Sequence, residues 1–88
     1  DLLLNPLSFK AELKGEELSL SKKEFALLYA LMLSSGRVLT KRQLEDQLYS
    51  LGHEVESNAI EVHIHNLRKK IGASHIQTIR GVGYQFKD

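Results

Sequence analysis

The chain has 88 residues, 42% of them hydrophobic and 26% charged, a balance that excludes a disordered tail and leaves room for one small domain spanning residues 1–88. It holds no cysteine, which excludes a disulfide framework and thiolate chemistry. The net charge of +1 conceals a polarised chain: residues 57–88 carry five Lys/Arg against two acids, residues 1–56 seven against nine. A basic C-terminal third reads equally as a solvated face or as an anion-binding surface.

Leu2-Leu3-Leu4 has no basic segment before it that would mark a signal peptide. It runs into the Asn5-Pro6 break, so the chain is expected to start inside a strand, as a piece of something longer. Leu7, Phe9, Ala11 and Leu13 alternate with polar residues, Lys14-Gly15-Glu16 is a turn signal, and Leu18 and Leu20 resume the alternation. That pattern predicts a hairpin over residues 7–20.

Ser21-Lys22-Lys23-Glu24 is a capping box, with Leu20 and Phe25 placed as a hydrophobic staple. The helix it opens runs to Leu33, ends before Gly36, and is apolar on nearly all sides, as a central buried helix should be. Its nine-residue apolar run, Phe25 to Leu33, is far short of the roughly 20 residues a membrane span needs. No membrane partner is expected, and the cytoplasm is the expected location.

Thr40-Lys41-Arg42-Gln43 repeats the capping box, with Leu39 and Leu44 as its staple. Leu44, Leu48 and Leu51 supply an inward stripe, and Gly52 closes this second helix. Gly36 to Leu39 reads only as a tight turn between the two helices. After the polar loop His53-Glu54-Val55-Glu56, a third helix is predicted from an N-cap at Ser57 to Ile71. Strands at Ile76–Ile79 and Tyr84–Phe86 then flank Arg80-Gly81-Val82-Gly83. Strands, three helices and a hairpin describe an α+β winged helix-turn-helix with an N-terminal antiparallel sheet, although the order also suits a generic α+β domain.

At about 100° per residue, Ile60, Ile64, Leu67 and Ile71 fall on one stripe of the third helix and must face the core. Asn58, Val62, His65, Asn66 and Lys69 fall on the opposite face, with His63 and Arg68 flanking the stripe. Asn can pair bidentately with adenine, Lys can meet guanine or phosphate, and Val can pack on a thymine methyl. The same face could be ordinary solvated surface with one exposed valine. Arg80, at a glycine-rich tip, suits a narrow minor groove or is simply a surface arginine in a turn.

The runs SNAIEVHIHNLRKKIG and IQTIRGVGYQF, after LSLSKKEFALLYALMLSSGRVLTKRQLEDQLY, resemble the C-terminal effector domain of OmpR/PhoB-type two-component response regulators. The QLY ending and SNAIEVHIHNLR are most similar to the PmrA/QseB branch. The resemblance implies a winged helix whose third helix enters the major groove of double-stranded DNA and whose wing contacts the minor groove. By motif position, Val62 and Asn66 meet bases, beside the outward-facing His65 and Lys69. Asn58, His63, Arg68 and Thr78 meet phosphates, and Arg80 enters the minor groove. The loop Gly52, His53, Glu54, Val55 and Glu56 corresponds to the segment with which family activators touch RNA polymerase. The resemblance further implies a homodimer on direct-repeat half-sites, and control by a receiver domain absent from these residues. Many relatives carry arginines at the positions of His65 and Asn66, and a Trp near Tyr49, so the target sequence is expected to differ.

Catalysis finds little support, and no cofactor or metal is expected. His63 and His65 are two residues apart and point about 160° from each other, where a helical metal pair wants a spacing of four. His53 and His75 lie on separate loops, and Gly81-Val82-Gly83 is too short for a phosphate loop. The rival function is a winged helix that binds protein, which should carry more apolar groups on its third helix than one valine.

Overall fold

A computed structural model describes residues 1–52, 56 and 58–87. The elements follow the predicted order, with the expected opening strand at Leu2–Asn5 and one additional strand between the first two helices. β1 (Leu2–Asn5), β2 (Lys10–Leu13) and β3 (Glu16–Leu18) form an antiparallel sheet in sequence order, with Leu2 opposite Leu13 and Ala11 opposite Leu18. Lys14 and Gly15 join β2 to β3 with φ of 52° and 84°. Two consecutive positive values give the turn whose twist matches paired strands.

The hairpin expected over residues 7–20 is therefore shorter, and its first residues belong to a loop. Pro6 has no amide to give a ladder, and Asn5 Oδ1 instead accepts from the Leu7 amide at 3.0 Å. Leu7 is 96% exposed, whereas the Phe9 ring folds back to stack on Phe25 with centroids 5.2 Å apart. The strand partner of β2 is Leu2–Asn5, the segment just before the proline.

Helix α1 (Lys22–Leu33) starts where the capping box places it: the Glu24 amide donates to Ser21 Oγ at 3.1 Å, and the Ser21 amide to Glu24 Oε1 at 3.0 Å. Helix α2 (Lys41–Ser50) repeats this with Thr40 and Gln43 at 3.0 and 2.8 Å. Leu44 and Leu48 are fully buried, but Leu51 is 47% exposed. It lies one residue beyond the helix, just before Gly52 turns the chain at φ 83°, so the helical angle that predicted its burial no longer applies. Helix α3 is Ala59–Ile71, with Asn58 as N-cap and no side-chain cap bond; Ser57 lies outside the described residues.

The core lies where the three helices meet: Leu27, Leu28 and Leu31 of α1 pack with Leu44 and Leu48 of α2 and with Ile60, Ile64, Leu67 and Ile71 of α3. Each such side chain contributes about 1.5–3 kcal/mol of burial. A second antiparallel sheet, of order β4-β6-β5, closes one end. It comprises β4 (Val38–Thr40), β5 (Ile76–Ile79) and β6 (Gly83–Phe86). Residues read as a bare turn between α1 and α2 are thus partly a strand, and β4 ties the helical turn to the hairpin. Gly83 permits this: a Cβ there would fall on the carbonyl oxygen of Leu39 and 2.8 Å from Thr40 Cα.

Candidate nucleic-acid interface

Helix α3 is divided sharply in two. Ile60, Ile64, Leu67 and Ile71 are at most 3% exposed, while Val62, at 47%, is open to solvent. His65 and Lys69 are exposed beside it and Asn66 is half-buried. The cause is the helical period: four apolar side chains on one stripe fix the rotation, and the polar residues between them have only the outer face left. Glu61 sits in the first turn, and Arg68, Lys69 and Lys70 sit in the last, a charge order that favours the helix dipole at both ends.

The rotation of α3 is pinned from two sides. Lys70 Nζ lies 2.8 Å from Glu24 Oε1 and donates to Ser19 O at 2.7 Å, joining the end of α3 to the start of α1. Glu24 is only 6% exposed. Burial pushes its carboxyl up, but the Lys70 ammonium and the Ser21 amide outweigh that and hold it below the usual carboxylate range. At the other end Lys41 pairs with Glu61 at 3.2 Å, an exposed contact worth little by itself.

At the leading end of α3, exposed Asn58 and half-buried His63 line a crevice with Lys23, Glu56, Ala59 and Val62. His63 Nδ1 is buried and finds no hydrogen-bond partner among the described residues. Burial lowers the imidazole pKa; nearby Glu24 opposes that and Lys23 adds to it, so the ring is held neutral. Lys23 was not singled out from sequence. The capping box gave it a place in the first turn of α1, but nothing local showed that this turn abuts α3.

At the trailing end Arg68 reaches the hairpin. Its Nε and one terminal nitrogen donate to Ile76 O at 3.0 and 2.8 Å, and the same terminal nitrogen donates to Thr78 Oγ1 at 2.7 Å. The guanidinium also sits 5.9 Å from the Tyr84 ring centroid. The side chain expected to face a phosphate is thus engaged within the chain. Thr78 is exposed on β5, and Arg80 is exposed in the turn that follows, where Gly81 has φ 72°. Val62, His65, Asn66 and Lys69 therefore stand on one helix face, and Thr78 and Arg80 on a hairpin bonded directly to that helix. Gly52 and Glu56 are exposed; His53, Glu54 and Val55 lie outside the described residues.

Among the described residues no group of three His, Asp or Glu side chains could hold a metal, and no helix is long and apolar enough to cross a membrane.

The family described as transcriptional regulatory protein, C terminal, matches residues 15–86. The chain is 49% identical over 84 residues to the transcriptional regulatory protein QseB of Escherichia coli O157:H7, covering 96% of this chain and 38% of that protein. It is 48% identical over 84 residues to the response regulator protein PmrA of Pseudomonas aeruginosa, again covering 96% and 38%. The chain thus spans about two-fifths of the length of these curated relatives. Its structure superposes with a TM-score of 0.82 on the RstA DNA-binding domain of Klebsiella pneumoniae, solved in complex with the RstA box; the two are 29% identical over 97% of this chain and 89% of that one. The fold is the winged helix.

Proposed function

The chain belongs to the family of transcriptional regulatory protein C-terminal domains, and we propose that it binds double-stranded DNA sequence-specifically as the output domain of a two-component response regulator. The observation that carries this is the division of α3, whose outer face offers Val62, His65, Asn66 and Lys69 while its inner stripe is buried. A helix with this face fits the major groove, where amide, ammonium and methyl groups distinguish base pairs. The β5–β6 hairpin is the wing, and Arg80 at its tip enters the adjacent minor groove. Asn58, His63 and Thr78 are read as the phosphate contacts, a reading supported by their motif positions, and Arg68 adjoins Thr78.

A single exposed valine on α3 favours DNA over a protein partner. No catalytic step, cofactor or metal is part of this reading. The resemblance to effector domains, together with relatives more than twice as long as this chain, supports control by a receiver domain elsewhere in the protein. It likewise supports homodimeric pairing on direct-repeat half-sites, contact between RNA polymerase and the loop 52–56, and a cytoplasmic location.

Selection of bound duplexes from a random pool, followed by a salt series on the winner, tests the reading. Between about four and seven phosphate contacts give a slope of log affinity on log salt of roughly −4 to −6. A flat salt response and an unenriched pool favour a protein-binding winged helix instead.

A further inference from the structure

We propose that Arg68 serves DNA reading as a positioning residue that clamps the wing to helix α3, rather than as a charge presented to a phosphate; the inference rests on the assignment of α3 and the wing as the two readers of DNA. The guanidinium is forked onto β5. Two of its nitrogens meet the Ile76 carbonyl at 3.0 and 2.8 Å, and one of them also meets Thr78 Oγ1 at 2.7 Å. Its plane approaches Tyr84 of β6. One side chain in the last turn of α3 therefore touches both strands of the wing.

β5 is an edge strand, so carbonyls on its outer side have no neighbouring strand to pair with. Arg68 satisfies one of them from the helix. The anchor has two consequences. Arg80 lies two residues past Thr78, about 7 Å along an extended strand, so the tip is held at a fixed offset from the outer face of α3. The Thr78 oxygen, accepting from Arg68, keeps its own hydrogen available to donate to a phosphate oxygen.

Lysine separates this role from a direct phosphate contact. An ammonium keeps the charge, but it cannot reproduce a planar fork across a carbonyl and a hydroxyl. The experiment measures this chain and its R68K, R80A, T78V and R68K/R80A variants. Each is titrated with two duplexes that share the major-groove site but differ in carrying an A-tract or a G·C-rich segment under the wing. Amide exchange over Ile79–Gly83 is followed in the same samples. R80A is expected to lower the A-tract preference about ten-fold. R68K is expected to lose most of that preference despite its retained charge, with faster wing exchange, and the double variant is expected to be no worse than R80A alone. T78V removes one acceptor without touching α3, so it tests the clamp even if R68K folds poorly; a partial loss of preference is expected.

R68K with wild-type preference and unchanged wing exchange overturns the inference, as do additive losses in the double variant. If R80A leaves the preference unchanged, the wing is not a reader and the assignment beneath the inference fails; accelerated exchange in R68K would then mark a clamp that matters only to the fold.

Discussion

Lys70 of α3 and Glu24 of α1, 46 positions apart in the sequence, meet at 2.8 Å, and this contact ties the end of α3 to the start of α1 in the orientation that the apolar stripe of α3 sets. Glu24 also closes the capping box of α1, so one carboxylate both caps its own helix and holds a side chain of another.

The pairing makes stability depend on acid. The carboxyl is held below its usual range in the folded chain, so its contribution is fully present above the unfolded value of about 4.3 and is lost as pH falls through the folded value. Glu24→Gln should flatten the stability profile below about pH 4.5 and cost roughly 1–3 kcal/mol at neutral pH, the partial exposure of Lys70 keeping this under the full cost of breaking a buried pair. Urea melts from pH 3 to 7 measure both effects, and an unchanged acid limb would remove Glu24 as their source.

Gly83→Ala should be among the most damaging single-methyl additions in the chain. The added carbon would meet the Leu39 carbonyl across the β4–β6 pairing, and two backbones cannot yield as a side chain can. A loss of about 1–3 kcal/mol or more is expected, which for a domain this small lowers Tm by roughly 5–20 °C. Calorimetry checks it, with Gly81→Ala in the exposed turn as the comparison.

Asn66→Ala should weaken the selected DNA site by about 1–3 kcal/mol while leaving binding to random duplex nearly unchanged. Its half-buried position on the outer face of α3 motivates this. Equal losses on both duplexes would assign Asn66 to the backbone rather than to a base.

His63 should couple binding to protons. Burial and Lys23 keep its ring neutral in the free domain against the pull of Glu24, whereas a phosphate beside it favours the imidazolium. Binding then takes up a proton, and affinity should rise about two- to five-fold between pH 7.5 and 6. Over the same range the free domain should lose slight stability, since the unfolded ring protonates first. His63→Asn should flatten the affinity profile; a profile unaltered by that change would place the proton elsewhere.

Much of the fold was legible in local chemistry. Both capping boxes fixed the starts of α1 and α2, because a hydroxyl and an acid or amide three residues apart satisfy two orphan amides wherever the chain goes next. The stripe of Ile60, Ile64, Leu67 and Ile71 settled the inner face of α3, since a helical period permits only one. Local patterns do not carry positions that depend on partners far along the chain. Leu7 keeps the strand alternation yet lies in a loop, and β4 looks locally like a turn because its partner is β6, more than 40 residues away.

The sequence by itself therefore determined the helices, their inward faces and the outward set Val62, His65, Asn66 and Lys69, because these follow from backbone periodicity and capping within a few residues. Tertiary structure alone decided that Glu24 holds Lys70, that His63 and Lys23 line one crevice, and that Arg68 grips the wing. Those pairs join segments that meet only after the three apolar stripes collapse on one another, and no local pattern encodes a distance across a core.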